Sequence, residues 1–262
     1  MGDVVGRPGR QILAAELERL IDRFAIDYTI VNVENAAGGF GVTPEVLEEL
    51  KRLPIQCMTT GNHIWDKKEA ISLLEAEPRL LRPANYPEGN PGTGLFIGET
   101  AAGIPVATLN LEGQVFMRQL ESPFQVASRI LGALSQEVKV IIVDFHAEAT
   151  SEKQALGWFL DGRVSAVLGT HTHVPTADAR ILPRGTAFVT DVGMTGPYEG
   201  IIGFRADRIL QRFLLQTPIG FDVAARDVRL AAAVLDVDEA TGRARSIETL
   251  LISSEKNRGP HG

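Results

Sequence analysis

The sequence predicts an α/β fold, and two observations carry this prediction. Segments with the apolar periodicity of helices alternate along the chain with short apolar runs that are typical of buried strands. The chain has 262 residues, of which 44% are hydrophobic, and this is enough for a large core. We expect a single domain over residues 1–262, with a poorly ordered tail from about residue 254 to residue 262.

The amino-terminal part is predicted to alternate between helix and strand. QILAAELERLIDRF has the pattern of an amphipathic helix, which we expect to be entered through a turn at GRPGR. IDYTIVNV and IQCMTT are predicted to be strands. Between them, a second helix is expected to begin at Thr43-Pro44-Glu45, because this triplet supplies an N-cap, a proline at the first helical position and an acidic residue in the first turn.

The rest of the chain continues the alternation. The segment after TGNHIWD is predicted to be a helix up to about residue 76, and TGLFIGETAAGIPVATLNL is predicted to be a hairpin that turns at Ala-Ala-Gly. The further predicted segments are SPFQVASRILGALSQ (helix), VKVIIVDF (strand), SEKQALGWFLDG (helix), VSAVLGT (strand), ARILPRGTAFVTDVG (β), RADRILQRFLLQ (helix) and DVRLAAAVLDVDEATGRARSIETLLIS (hairpin).

The start of the chain departs from this pattern. A GDVVG motif usually follows an apolar strand, and here only Met1 precedes it. We therefore expect either that the native chain has a further strand before Gly2 or that the first strand is missing, which would weaken the fold.

Composition limits the classes of function. The formal net charge is −7 with acidic and basic residues interspersed, which argues against a surface for duplex nucleic acid but leaves a small anionic substrate open. Cys57 is the single cysteine, so no internal disulfide can form and a reducing compartment fits best. The sequence has neither an apolar run that spans a membrane nor the layout of a signal peptide. We expect a cytoplasmic protein without a membrane partner, and leave a homo-oligomer open.

Polar side chains follow five of the predicted strands, and four of the five histidines are among them. Because loops at the carboxyl ends of strands border one crevice in α/β sheets, we expect these side chains to meet. Carboxylates, amides and imidazoles without a thiolate suit Mn, Fe, Co or Zn, and seven or eight such groups fit two ions that share a bridging carboxylate. The candidates are Asp3, Asn32, Glu34, Asn35, Asn62, His63, His146, Glu148, His171 and His173.

Two of these histidines are separated by one residue in LGTHTHVP, directly after an apolar run. In an extended segment residues two apart point to the same side, so His171 and His173 can each hold a different ion of one pair. Each motif alone has a plainer interpretation: a single histidine at a strand end is more often structural, and Asn35 before Gly38-Gly39 is compatible with a turn. Their coincidence at five strand ends favours the metal site.

The motifs taken together resemble a known family. GD, EN, GNH, a later histidine and GTHTH are similar to the signature of the calcineurin-like metallophosphoesterases. The longer segments resemble the YmdB-like bacterial phosphoesterases, which are regarded as 2′,3′-cyclic-nucleotide phosphodiesterases. This resemblance implies a four-layer α-β-β-α metallophosphoesterase sandwich, with two mixed sheets flanked by helices. The segments that carry it are GDVVGRPGR, NVENAAGGFG, TGNHIWD, RPANYP, FHAEATSEK, GTHTHVPTAD and DVGMTGPYEGIIG.

The resemblance also implies the role of each residue. His63 would be the general acid, free of the metals, and Asp66 would either orient it or cap a helix. Iron or manganese would be favoured, with zinc or cobalt as alternatives. The superfamily's DxH is Asp3-Val4-Val5 here, and its bridging aspartate is replaced by a glutamate, as in the YmdB-like group. The implied ligands are Asp3, Glu34, Asn35 and His173 for one ion, and Glu34, Asn62, His146 and His171 for the other.

The predicted function is that of a dinuclear phosphodiesterase acting on 2′,3′-cyclic nucleotides or related small phosphodiesters, with RNA ends as a further candidate. A hydroxide bridging the ions would attack phosphorus, and His63 would protonate the leaving oxygen. Met194, Thr195 and Tyr198 either line the substrate site or belong to the end of a strand. The alternatives are a phosphomonoesterase or nuclease on the same metals, and a metal-binding regulatory protein whose activity is incidental.

Overall fold

A computed structural model describes residues 1–254 of the chain. The tail that the sequence predicts to be poorly ordered lies outside the described residues, apart from Ser254. The described part is a mixed α/β structure, as the alternation of segments predicts. Its helices are α1 (Gly6–Phe24), α2 (Pro44–Leu50), α3 (Ala70–Ala76), α4 (Pro123–Ala133), α5 (Thr150–Leu160) and α6 (Ala206–Leu215). None of these described helices is long and apolar enough to cross a bilayer.

The strands form three sheets within the described residues. The largest sheet has the order β4-β5-β6-β7-β9-β8, in which β5, β6, β7 and β9 are parallel. A second sheet has the order β1-β10-β11-β12, and β2 pairs with β3 alone. The strands are β1 (Asp3–Val4), β2 (Ile30–Asn32), β3 (Cys57–Thr59), β4 (Leu95–Glu99), β5 (Pro105–Glu112), β6 (Val140–His146), β7 (Ala166–Thr170), β8 (Arg180–Ile181), β9 (Ala187–Val189), β10 (Met194–Pro197), β11 (Val228–Val237) and β12 (Ala244–Ser253).

Three buried apolar clusters hold these elements together. The first joins α1 and α2 to β2, the second joins α4 and α5 to β5 and β6, and the third lies among β5, β6, β7 and β12. All seven residues of β6 are buried, which explains why this strand has a nearly continuous apolar sequence. Representative members are Leu13, Val31 and Leu50 in the first cluster, Phe145, Leu156 and Phe188 in the second, and Ile142, Ala166 and Ala244 in the third.

Several local predictions are confirmed. Thr43 caps α2 by accepting a hydrogen bond from the amide of Val46 at 3.4 Å, and Pro44 occupies the first helical position. The two predicted hairpins are the antiparallel pairs β4–β5 and β11–β12. In each case the signal is local, because a cap or a turn depends on residues that are close in sequence.

One local prediction is wrong, and another nearby is confirmed. GRPGR does not form a turn ahead of α1, because the helix already begins at Gly6 and includes Pro8 in its first turn. Proline is tolerated there because the amides of the first turn have no partner within the helix. The helix predicted after TGNHIWD is confirmed as α3 (Ala70–Ala76), and Ile64–Asp66 within the motif forms a 3-10 turn.

The amino terminus forms a short buried strand. Strand β1 pairs in parallel with Met194 and Thr195 of β10, and the amide of Asn32 donates to the carbonyl of Met1 at 3.1 Å. A cavity of about 480 Å³ next to Met1 is lined mainly by apolar residues of α1, β2 and β11. A strand ahead of Gly2 would lie outside the described residues and stays a prediction.

Gly169 in β7 lies where a side chain has no room. A Cβ at this position would overlap the backbone carbonyl of Thr190. We expect Gly169→Ala to lower the free energy of unfolding by about 2 kcal/mol, because the backbone after β9 must shift to admit the methyl group. Chemical denaturation measures this change. The matched control is Gly132→Ala in α4, where an added Cβ meets nothing within 4 Å; equal stability of the two variants would contradict the prediction.

Candidate metal centre

The strand ends bring seven of the predicted polar side chains into one buried cluster. They come from β1, from the segments after β2 and β3, from the end of β6 and from the segment after β7. Contacts of 3.0 to 3.8 Å connect all seven, which are referred to below as the polar cluster. Its members are Asp3, Glu34, Asn35, Asn62, His146, His171 and His173.

One half of the polar cluster is centred on His146. Its Nε2 atom lies 3.0 Å from Glu34 Oε1, 3.0 Å from Asn62 Oδ1 and 3.0 Å from His171 Nδ1. Ligand atoms of Glu34, His146 and His171 all lie within 4.8 Å of one another. This spacing and this donor set are those of a metal-binding group, so the structure contains a candidate metal site.

The other half of the polar cluster contains Asp3, Asn35 and His173. Asn35 Nδ2 lies 3.0 Å from Glu34 Oε1 and 3.1 Å from His173 Nε2, so Glu34 contacts both halves. Asp3 Oδ1 lies 3.8 Å from His173 Nε2 and is buried without a hydrogen-bond partner among the described residues. Because an unpartnered buried carboxylate oxygen is unfavourable, this atom fits a cation held between Asp3 and His173.

The segment that contains His171 and His173 is not extended, so the reason predicted for the separation of the two rings is wrong. His171 has a φ of 97° and His173 a φ of 66°, so both lie in the left-handed region. The alternation of an extended chain therefore does not set the directions of the rings. The rings nevertheless lie in different halves of the polar cluster, His171 against His146 and His173 against Asn35.

Burial and mutual proximity shift the pKa values of the polar cluster. Burial opposes the charge of Glu34, but the neighbouring His146 outweighs burial and lowers the pKa of Glu34 to about 2. Burial also opposes the charge of His146, but Glu34 and Asp3 outweigh it and raise the pKa of His146 to about 9. Burial and His146 lower the pKa of His171 to about 3. The negative charge of Glu34 is thus stabilised by His146, whereas burial raises the pKa of Asp3 to about 6.

His63 lies beside the polar cluster. Its backbone amide donates to Glu34 Oε2 at 3.2 Å, and its ring packs edge-on against Phe40 with centroids 4.9 Å apart. The ring atom Nδ1 lies 2.8 Å from Asp66 Oδ2. Because an ionised carboxylate only accepts hydrogen bonds, Nδ1 carries a proton and Nε2 is left for other partners. Of the two roles left open for Asp66, the structure favours orientation of His63.

Two other candidates lie at the edge of the polar cluster. Glu148 Oε2 is 3.0 Å from His171 Nε2, with the glutamate side chain half exposed. Asn32 is buried and donates from Nδ2 to Asp144 Oδ2 at 3.1 Å. Glu148 therefore contacts one member of the polar cluster from outside, and Asn32 contacts a carboxylate behind it.

The three residues considered for substrate binding lie in or next to β10. Met194 and Thr195 are buried, and the Thr195 hydroxyl donates to the carbonyl of Ala231 at 3.3 Å. The Tyr198 hydroxyl donates to the carbonyl of Met194 at 2.9 Å. Met194 and Thr195 thus belong to a strand and Tyr198 follows it, and a role of this segment in substrate binding stays a prediction.

Sequence reasoning missed a layer of buried polar residues behind the histidines. Thr170 Oγ1 lies 2.9 Å from His146 Nδ1 and donates to Asp144 Oδ1 at 2.7 Å, so Asp144 orients His146 through a hydroxyl. Glu112 ends β5 and pairs in register with His146, and burial raises its pKa to about 7. The strand-end rule applies to Glu112 as well, whereas Asp144 lies inside an apolar run and gives little signal.

Comparisons with known proteins cover nearly the whole chain. Residues 1–250 match a family model described as YmdB-like protein. A 2′,3′-cyclic-nucleotide 2′-phosphodiesterase of Bacillus subtilis (strain 168) is 46% identical over 255 residues, which are 97% of this chain and 96% of that protein. A crystal structure of a hypothetical protein from Thermus thermophilus is 42% identical, with a TM-score of 0.90 and coverage of 96% and 97%. A novel phosphatase from Mycoplasma pneumoniae is 34% identical, with a TM-score of 0.90 and coverage of 96% and 91%.

The fold, the polar cluster and these relatives together define an enzyme that hydrolyses phosphoric ester bonds. Within that class, the chain belongs to the YmdB-like family, as its motifs predict. The match to the family includes every residue of the polar cluster.

Proposed function

We propose that the chain is a dinuclear metal-dependent phosphodiesterase that hydrolyses 2′,3′-cyclic nucleotides or related small phosphodiesters. The observation that carries this proposal is the polar cluster, in which Glu34 contacts two groups of ligand atoms. The phosphodiesterase of Bacillus subtilis supports the substrate class. We further propose that the chain is one cytoplasmic domain and that its two main sheets and their helices form the four-layer sandwich.

Two divalent ions would be held by the two halves of the polar cluster. Bound there, they would supply a hydroxide nucleophile from water near neutral pH and neutralise charge on the phosphoryl oxygens. The donors are oxygen and nitrogen atoms without a thiolate, and we propose iron or manganese, with zinc or cobalt as alternatives. The proposed ligands are Asp3, Glu34, Asn35 and His173 for one ion, and Glu34, Asn62, His146 and His171 for the other.

His63 is the proposed general acid. Its side chain is 29% exposed, so a substrate held at the polar cluster can reach the ring, whereas Asp3 and His146 are fully buried. Asp66 holds the proton on Nδ1, and a second proton on Nε2 is then available to the leaving oxygen of the sugar. The neutral ring that results recovers its proton from solvent.

A panel of phosphoric esters tests the proposed function. The purified protein, stripped of metal and reloaded with Mn²⁺ or Fe²⁺, is offered 2′,3′-cyclic AMP, 3′,5′-cyclic AMP, bis-p-nitrophenyl phosphate and p-nitrophenyl phosphate. We expect metal-dependent turnover, with kcat/KM for the 2′,3′-cyclic ester higher than for the other esters by about tenfold or more. Turnover of the monoester alone would identify a phosphatase, and absence of turnover with two ions bound would favour the regulatory alternative.

A short RNA with a 2′,3′-cyclic phosphate end extends the panel. Comparison with the mononucleotide, measured under the same metal conditions, shows whether RNA ends or free nucleotides are the better substrates. Equal kcat/KM for both would mean that recognition is confined to the terminal nucleotide.

A further inference from the structure

The segment that carries His171 and His173 has an unfavourable backbone conformation. Both residues have positive φ values, and side chains with a Cβ rarely adopt that region unless surrounding contacts hold them there. One such contact is the amide of His171, which donates to Asp3 Oδ2 at 3.2 Å. Thr172 lies between the two histidines and is the stronger candidate for holding this conformation, because its position determines the backbone on both sides.

Thr172 is held by a buried carboxylate. Its backbone amide lies 3.1 Å and its hydroxyl 2.7 Å from Asp191 Oδ2, and both groups donate to that atom. The same oxygen accepts a hydrogen bond from Lys153 Nζ at 2.6 Å, and Asp191 Oδ1 accepts one from the amide of Gly193 at 2.8 Å. The side chains of Lys153 and Asp191 are each 1% exposed. Both oxygens of the Asp191 carboxylate are therefore held by groups other than Thr172.

A buried lysine–aspartate pair needs a reason other than stability. Removing two charges from water is unfavourable, and apolar residues of similar size often stabilise a fold equally well. A better-attested use of such groups is to select one arrangement of the chain. Lys153 lies in α5 and Asp191 follows β9, so the pair connects two rigid elements to the loop that begins after β7.

We propose that Asp191, fixed by Lys153, is a positioning residue for both halves of the metal centre. Through Thr172 it holds His171 and His173 in the conformation that directs one ring to each half of the polar cluster. This inference rests on the dinuclear centre proposed above. Because one carboxylate determines the orientation of both rings, loss of its bond to the Thr172 hydroxyl weakens the binding of both ions together.

Thr172→Val is the variant that tests this role. Valine has nearly the shape of threonine, keeps the backbone bond to Asp191 and lacks the hydroxyl bond. Substitution of Asp191 itself is less informative, since it would leave Lys153 buried and unpaired.

Calorimetric titration of the metal-free protein with Mn²⁺ gives the affinities, and electron paramagnetic resonance detects the spin-coupled Mn²⁺ pair. We expect both dissociation constants to rise about tenfold and the pair signal to fall accordingly. Thr172→Ser, which retains the hydroxyl, should restore both.

Thr190→Val is the matched control. Thr190 donates through its amide to Asp178 Oδ1 at 3.1 Å and through its hydroxyl to Asp178 Oδ2 at 2.6 Å, so it too binds one carboxylate through both groups. We expect this control to bind Mn²⁺ like the parent chain. Equal weakening in both variants would assign the effect to general destabilisation and overturn the proposal.

Metal binding by the parent chain distinguishes failure of this proposal from failure of the dinuclear centre on which it rests. Two bound Mn²⁺ ions in the parent and unchanged affinities in Thr172→Val would overturn the positioning role alone. Fewer than two ions in the parent would refute the dinuclear centre, and the positioning role with it.

Discussion

Glu34→Gln is expected to lower kcat for 2′,3′-cyclic AMP by about a thousandfold or more. Glu34 Oε1 lies 3.0 Å from His146 Nε2 and 3.0 Å from Asn35 Nδ2, so this carboxylate is the part of the polar cluster that both halves share. A neutral amide of the same size removes the negative charge between the two proposed ions and would weaken their retention. Turnover is measured together with the metal content of the purified variant.

The fold should survive this substitution. Glutamine keeps the volume of the buried side chain, and its oxygen can still accept the amide of His63, which now donates to Glu34 Oε2 at 3.2 Å. Circular dichroism and the unfolding midpoint check this. The matched control is Glu77→Gln, which removes a buried carboxylate that pairs with Arg79 and should leave turnover unchanged. Full activity of Glu34→Gln would exclude the bridging role.

The same variant distinguishes an enzyme from a regulatory protein. If folded but inactive Glu34→Gln fails to replace the parent gene in cells, the role of the protein depends on catalysis. If it replaces the parent gene fully, the metal centre serves a regulatory or structural purpose.

The positions of the cluster residues were predictable because the rule behind the prediction concerns topology. Polar residues that end parallel strands meet at one edge of a sheet, whatever the lengths of the intervening segments. The rule needs only an approximate strand boundary, so β2 could be shorter than IDYTIVNV without harm. Asn35 and His146, separated by more than 100 residues in sequence, accordingly lie in one cluster.

The remaining features depend on contacts that no local pattern records. In the segment where His171 and His173 have positive φ values, the amides of His171 and Thr172 donate to Asp3 and Asp191, which are remote in sequence. Lys153 follows Glu152 in what looks like the solvent face of a helix, yet both residues are buried. A charged residue in a helix carries the same sequence signal whether it faces water or a buried carboxylate.

His63→Ala is expected to keep the bound metal and to lower kcat for 2′,3′-cyclic AMP by about a hundredfold. None of the described hydrogen bonds joins the ring of His63 to the polar cluster, whereas its Nδ1 atom lies 2.8 Å from Asp66 Oδ2. This arrangement supports the role in proton transfer that we propose for the ring, rather than metal binding. Metal content and steady-state turnover are measured on the same preparation.

Substrates with different leaving groups show whether His63→Ala has lost a general acid. A sugar oxygen needs a proton as it departs, but p-nitrophenolate departs readily without one. The loss in His63→Ala should therefore be much smaller with bis-p-nitrophenyl phosphate than with 2′,3′-cyclic AMP. Asp66→Asn should show the same dependence with a smaller loss, about tenfold, because the amide can present its nitrogen to Nδ1 and favour the wrong tautomer. Equal losses with both substrates would exclude the acid role, and loss of metal would make His63 a ligand.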